Sequence, residues 1–302
     1  MTRRSSGSGP GDGRWGRAAL LSVLLVLAGC ASTPAPGAPS PLEGSRHETH
    51  RATLWVQTAA EFPALFLQAY LWGVALLPQA LDDRQWTAAP VEQRSGFQDL
   101  PPAVVLDIDE TVLDNSPYQA RRIEAQGEFT PESWNEWVLE ARAKPLPGAL
   151  EFVRTADSLG VAVFYVSNRE AELEEATRKN LLEAGFPLGD GTEDRILSRS
   201  ERPDWGSDKT TRRAWIASRY RILMVAGDDL NDFVPARISR EERSALVERY
   251  RDYWGERWLI LPNPIYGSWE SAVTEWNPDL TPEERRRLQD RALDPARSGV
   301  RR

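Results

Sequence analysis

Three short apolar runs, each closed by a polar motif and separated by stretches with helical punctuation, predict an α/β fold, a Rossmann-like parallel sheet flanked by helices. The runs are Val104 to Leu106, Val161 to Val166 and Ile222 to Ala226, and Trp258 to Leu261 reads as a fourth. Strands that alternate with helices at this spacing are joined by crossovers and pair in parallel. The sheet therefore places the end of every strand, and whatever follows it, along one edge.

The elements follow in order. Residues 51–82 are mostly apolar and read as one or two helices broken near Pro63 and Pro78. Phe62 to Leu77 is short for a membrane span and holds Gln68, so a helix packed on the body or on a second subunit is expected. That leaves a homodimer open. Thr130-Pro131-Glu132 has the residue types of an N-cap, a first-turn proline and a first-turn acid, opening a helix that carries Trp134 and Trp137. Gly148 to Leu159, Glu170 to Ala184 with Gly185 as its stop, and Lys209 to Tyr220 are the other predicted helices. Beyond Asp279 the chain is charged and Arg-rich, and reads as a final helix and a frayed tail over 279–302.

The motif after the first run is Asp107-Ile108-Asp109-Glu110-Thr111. In open α/β sheets ligands bind at the carboxyl ends of strands, and two carboxylates two residues apart there can hold Mg²⁺ and attack phosphorus. The second run delivers Ser167-Asn168-Arg169, the third delivers Gly227-Asp228-Asp229-Leu230-Asn231-Asp232, and Lys209 lies between them. This ordered set resembles the haloacid dehalogenase superfamily of phosphatases. The stretches Asp107 to Tyr118, Gly227 to Phe233 and Leu261 to Trp269 narrow the likeness to the class C acid phosphatases and, within them, the bacterial lipoprotein e group of 5'-nucleotidases. It covers roughly residues 50–275.

The resemblance implies a haloacid dehalogenase-like phosphatase domain over 51–278, with a small helical cap built from about 51–95 and 112–147. It also implies roles. Asp107 is the nucleophile that forms an aspartyl-phosphate, and Asp109 is the acid that protonates the leaving oxygen and then activates water. Mg²⁺ is held by Asp107, by Asp109 through its backbone carbonyl, and by Asp228, with Asp232 close by. Ser167, Asn168, Arg169 and Lys209 bind the phosphoryl oxygens, while Tyr118, Trp134 and Tyr266 stack a nucleobase. Crowded acids disfavour one another's ionisation, which points to a protonated Asp109 in mild acid and an acidic optimum. Asp229 departs from the family pattern, which has Asn there. Glu110 and Asp114 read as braces or caps of the loop.

Composition eliminates rivals. One Cys and two His exclude most other phosphatase chemistries, because Cys30, His47 and His50 all precede the recognisable fold. A serine nucleophile would lack its usual neighbouring base. All but three of the 37 basic residues are Arg, so a Lys at Lys209 suits a compact charge facing a phosphorylated carboxylate.

Arg14 and Arg17, the apolar stretch Ala18 to Leu27, and Ala28-Gly29-Cys30 form a basic, an apolar and a small-residue segment in turn. The order resembles a bacterial lipoprotein signal over 1–29, with lipid attached at Cys30 and a Pro-rich tether over 30–50. The apolar run has about ten residues where a span needs roughly 20. An exported, lipid-anchored protein on a bacterial outer membrane or cell surface is expected. Without residues 1–29 the formal charge moves from -8 to -11, which excludes a nucleic-acid polymer as partner and leaves a small phosphomonoester, with Mg²⁺ to neutralise it. Three functions remain: a nucleoside monophosphate hydrolase, nicotinamide mononucleotide included; a phosphotransferase on the same fold; and a surface lipoprotein that binds without turnover. The last has no use for Asp109.

Overall fold

A computed structural model describes residues 47–294. The signal segment, Cys30 and the Pro-rich stretch lie outside those residues. Five strands form a parallel sheet in the order β5-β4-β1-β6-β7, with β1 Pro102–Leu106, β4 Ala162–Glu170, β5 Ile196–Arg199, β6 Arg221–Gly227 and β7 Trp258–Ile260. A separate antiparallel pair joins β2 Leu113–Asp114 to β3 Lys144–Pro145. Ten helices lie among the described residues: α1 His50–Thr58, α2 Glu61–Asp82, α3 Ser116–Ala125, α4 Pro131–Leu139, α5 Ala149–Ser158, α6 Glu174–Ala184, α7 Thr210–Ala217, α8 Arg240–Arg249, α9 Ser268–Val273 and α10 Pro282–Ala292.

Alternation within the strands divides the core in two. In β1, Val104 and Leu106 join one apolar cluster, whereas Ala103 and Val105 join the other. In β4, Val163 and Tyr165 take the first side, Phe164 and Val166 the second. A strand apolar on both faces needs cover on both, which is why it reads as a continuous run. The first cluster continues into α2 and α5 through Phe66, Tyr70, Leu77 and Phe152, and the second into α7 and β7 through Ile216 and Trp258.

The break in the 51–82 region falls at Ala59–Ala60, not at Pro78. Pro63 sits in the first turn of α2, where a missing N–H costs nothing, and Pro78 is carried inside the helix near its end. Phe62, Phe66, Tyr70, Leu77 and Ala80 are buried along one face. Gly73 lets this face approach closely, since a Cβ there would come within 2.7 Å of Leu259 Cδ1 and 2.9 Å of Phe152 Cε2. The opposite face exposes Leu65, Leu71 and Trp72. By length and composition α2 is the one helix among the described residues able to cross a membrane.

Further differences have local causes. The second strand runs on to Glu170, and a short 3-10 turn at Ala171–Leu173 precedes α6. Strand β5 went unpredicted because only Ile196 and Leu197 are apolar in it. It gains its place by pairing Tyr165 with Ile196 and Val166 with Leu197. Helix α8 buries no residue and rests on a capping box between Ser239 and Glu242.

Candidate active site

The central strand β1 is flanked by β4 and β6, so the order of strand addition reverses at β1 and a crevice opens at the strand ends. A cavity of about 820 Å³ lies there, lined by Asp107, Asp109, Asn168, Arg169, Lys209, Asp228 and Asp232, with Tyr118, Trp134 and Tyr266 on the same wall. The described structure thus brings together every predicted site residue except Ser167, which is fully buried beneath the surface of the cavity.

Asp107 follows directly on β1, and its N–H donates to the Ala226 carbonyl of the neighbouring strand. Side-chain oxygens of Asp107, Asp228 and Asp232 lie within 4.8 Å of one another. Lys209, the N-cap of α7, reaches into this group and donates to Asp107 and, at 2.6 Å, to Asp232. Thr111 Oγ1 and Asn263 Nδ2 donate to Asp228 at 3.3 and 2.8 Å. Gly227 is required by this packing, because a Cβ at the end of β6 would fall on the Asp232 side chain.

Burial and mutual repulsion set the protonation of the cluster. Burial, with Asp232 and Asp109 nearby, lifts the Asp107 carboxyl to about 7 despite the lowering influence of Lys209. Asp228 and Asp232 are pushed up by burial as well, Asp228 also by the charge on Asp107. Burial opposes the charge on Lys209, but Asp107 and Asp232 outweigh it and raise that pKa. Three close carboxylates that resist ionisation in each other's company fit a hard divalent cation, which takes oxygen ligands. Asp107, Asp228 and Asp232 are the side chains that would hold it.

The Asp109 carboxylate turns away from that group. Arg169 donates to it through Nε at 3.1 Å and Nη2 at 2.7 Å, Asn115 Nδ2 donates at 2.9 Å, and Ser167 Oγ lies at 3.5 Å. Burial first, and neighbouring charge second, lift Asp107, Asp228 and Asp232; the Asp109 side chain faces the Arg169 guanidinium. Arg169 is buried and engaged with Asp109 and with Thr177 at 3.2 Å. The Asn168 amide bridges Arg212 at 2.6 Å and the Ser207 carbonyl at 3.0 Å.

Glu110 and Asp114 have bracing roles. Glu110 has φ 55°, a left-handed conformation that a non-glycine residue keeps only when its surroundings hold it. Its carboxyl accepts from the Asn115 N–H at 3.2 Å and from the Tyr266 hydroxyl. Burial, then Asp109, push it up to about 8. Asp114 accepts from the Ser116 N–H at 2.8 Å at the head of α3. Asp229 is also a brace, accepting from the N–H groups of Asn231 at 2.9 Å and Ser268 at 2.6 Å.

Among the aromatics, Tyr118 and Trp134 meet edge to face with centroids 5.2 Å apart, and the Tyr118 hydroxyl bonds Ser133 at 2.9 Å. Trp137 is buried, donating to Asn115 Oδ1 at 2.8 Å. Sequence reasoning missed Asn115, Asn263, Arg212 and Arg213. Asn115 and Asn263 sit inside the motifs that carried the resemblance, so a signal existed for them. It also placed 47–50 in a tether, whereas Glu48 and Thr49 line the cavity and His47 Nε2 lies 3.1 Å from the Gly127 carbonyl.

The family model described as HAD superfamily, subfamily IIIB (Acid phosphatase) matches residues 78–269. The class C acid phosphatase of Bacillus anthracis is similar at 34% identity with a TM-score of 0.72, covering 82% of this chain and 98% of that one. Its tungstate-bound crystal structure gives 33% identity and a TM-score of 0.71, with the same coverage. Acid phosphatase 1 of Solanum lycopersicum is 28% identical over 167 residues, 54% of this chain and 57% of that protein. The stem 31 kDa glycoprotein of Glycine max is 29% identical over 167 residues, 54% of this chain and 58% of that protein. The chain thus spans a little over half the length of these two plant relatives. Fold and site define an α/β protein whose aspartates gather at the strand ends of a parallel sheet. The chain belongs to the HAD superfamily, subfamily IIIB.

The raised carboxyls give a pH dependence with a definite sign. Without metal the folded state keeps a proton on Asp107 that the unfolded chain releases above about pH 4, so stability present at low pH is lost as pH rises toward about 7. A metal ion replaces that proton. In thermal melts with chelator the protein should be more stable near pH 5 than near pH 7.5, and Mg²⁺ should raise the melting temperature more at the higher pH. Metal-free stability that climbs between those values would contradict the assignment.

Proposed function

We propose that the chain is a Mg²⁺-dependent acid phosphatase that hydrolyses phosphate monoesters, with nucleoside 5'-monophosphates, nicotinamide mononucleotide among them, as its substrate class. The observation that carries the reading is the shared cavity: the acids, Lys209, Tyr118, Trp134 and Tyr266 all line it. Tungstate in the Bacillus anthracis relative is an oxyanion of phosphate-like charge and shape, which supports an oxyanion pocket here.

In this reading Asp107 attacks phosphorus in line as the ester oxygen departs, giving an aspartyl-phosphate. Lys209 holds the attacking carboxylate and meets the charge on the phosphoryl oxygens, where most of the stabilisation arises. Asp109 gives its proton to the leaving alkoxide and then takes one from the water that cleaves the intermediate. Arg169 and Asn115 hold the Asp109 carboxyl in one orientation for both steps. Mg²⁺, when bound by Asp107, Asp228 and Asp232, supplies charge neutralisation of the phosphoryl group. The nucleobase lies against Trp134 and Tyr266, with the Tyr266 ring fixed through its hydroxyl on Glu110.

We also place the protein outside the cytoplasm, lipid-anchored at Cys30, on the strength of the residues 14–30 pattern. Cys30→Ser should abolish lipid labelling and membrane partition while leaving activity toward a soluble phosphate ester intact. Labelling that survives the change would refute the anchor.

Asp107→Asn should fold with an unchanged melting curve in chelator at low pH, yet lose turnover by several orders of magnitude. Chelation of wild-type protein should silence it reversibly. Turnover persisting in either case contradicts the mechanism.

Selectivity provides an independent check. Trp134→Ala or Tyr266→Ala should cost about 1 to 3 kcal/mol per stacked base, roughly a 5-fold to 150-fold fall in kcat/KM for a nucleotide. A small aryl phosphate should be much less affected. Equal losses on both substrates would show the rings to be scaffold.

A further inference from the structure

Arg212 is fully buried, and no carboxylate among the described residues lies within ion-pair distance of it. Its Nη1 donates to the Ser167 carbonyl and its Nη2 to Asn168 Oδ1 at 2.6 Å and to the Gly206 carbonyl at 2.7 Å. The Nε is buried without a partner. Leaving a guanidinium dry and unpaired is costly, so a helix that carries one needs a compensating use for it.

The acceptors show the use. Ser167 and Asn168 lie in the last half of β4, where its register with β5 shifts, and Gly206 belongs to the loop that leads to Lys209. One planar fork therefore ties a motif-bearing strand to the loop before α7, three residues from the lysine that faces Asp107. Asn168 closes the same link from its other end by donating to the Ser207 carbonyl at 3.0 Å. The neighbouring Arg213 does the equivalent for the third motif, donating to the carbonyls of Asn231 and Asp232 at 2.9 and 3.1 Å while pairing with buried Glu92 at 3.2 Å. Arg212 differs in having no acid to neutralise it. Burial, the strongest influence, and the neighbouring Arg213 oppose its charge, whereas Asp107, Asp232 and more weakly Asp208 favour it.

We propose that Arg212 is a positioning residue for phosphoryl transfer: its buried guanidinium fixes the Ser167–Asn168 segment of β4 against the Gly206–Ser207 loop and keeps a positive charge behind the phosphoryl pocket. It does not line the cavity. Its effect therefore reaches the reaction through the geometry of Asn168 and Lys209, and falls on kcat more than on KM. This rests on the phosphatase reading above.

The test compares Arg212→Lys, Asn168→Ala and the double variant with wild type, using saturating Mg²⁺ and an aryl phosphate. Lys keeps the charge but cannot make the fork. Arg212→Lys should lower kcat about 100-fold at nearly constant KM, as misplacement of a reacting group by about 1 Å does. Asn168→Ala removes one acceptor from an exposed residue and should lower kcat about 10-fold in the same manner. The double variant should lose far less than the product of the two, because both break one link. Where Arg212→Lys fails to fold, Asn168→Ala decides, read as a fall in kcat with unchanged KM and unchanged inhibition by inorganic phosphate, since loss of a direct phosphate contact would weaken both. A kcat within about 3-fold of wild type, a loss carried wholly by KM, or strict additivity would each overturn the positioning role. A wild-type protein without turnover would overturn both proposals together, whereas unperturbed variants of an active wild type would overturn this one only.

Discussion

The constraint on which the site depends is the repulsion among Asp107, Asp228 and Asp232, three carboxylates crowded together after the adjacent strands β1 and β6. Nothing apolar packing offers favours that arrangement. It is held because Lys209 sits between two of the acids, because Gly227 leaves room for the Asp232 side chain, and because Arg213 and Asp229 secure the backbone of the turn that carries Asp232. Lys209 alone does not balance three charges, so the cluster resists full ionisation until a cation arrives. The folded chain is in this sense prepared for a metal ion at a cost to its own stability near neutral pH.

Recognition and chemistry share a hydrogen-bonded chain. Trp137 donates to Asn115, Asn115 donates to Asp109 and lies beside Glu110, and Glu110 accepts from Tyr266. Helix α4, the loop after β7 and the acid Asp109 are therefore positioned by one hydrogen-bonded network. Such networks specify geometry strongly only when every member is satisfied. Disturbing Asn115 would loosen the aromatic wall and the reacting group together.

The parts of this arrangement legible in the sequence were those that periodicity and strand-end motifs encode. The strands at 102–106, 162–170, 221–227 and 258–260 are buried on both faces and so read as apolar runs; the Asp107 and Asp228 motifs were found because each follows one, and Ser167 to Arg169 because it closes the apolar part of β4. The edge strand β5 has too few apolar residues to announce itself and forms by pairing. Pro78 was misjudged because a proline near the end of a helix packed along its length does not end it. Asp229 was ambiguous by residue type, since only coordinates show its oxygens occupied by Asn231 and Ser268. Arg212 and Arg213 were invisible in a chain where Arg is abundant: their importance lies in burial, which no spacing reveals.

The account turns on Asp107 becoming covalently phosphorylated. Wild-type protein turning over a phosphate ester with Mg²⁺ should be quenched in acid, reduced with borohydride to convert any acyl phosphate to homoserine, and mapped by peptide mass spectrometry. Homoserine at position 107, absent when substrate or metal is withheld, is the result the account predicts. Turnover with an unmodified Asp107, or a phosphoryl group trapped on another residue, would contradict it.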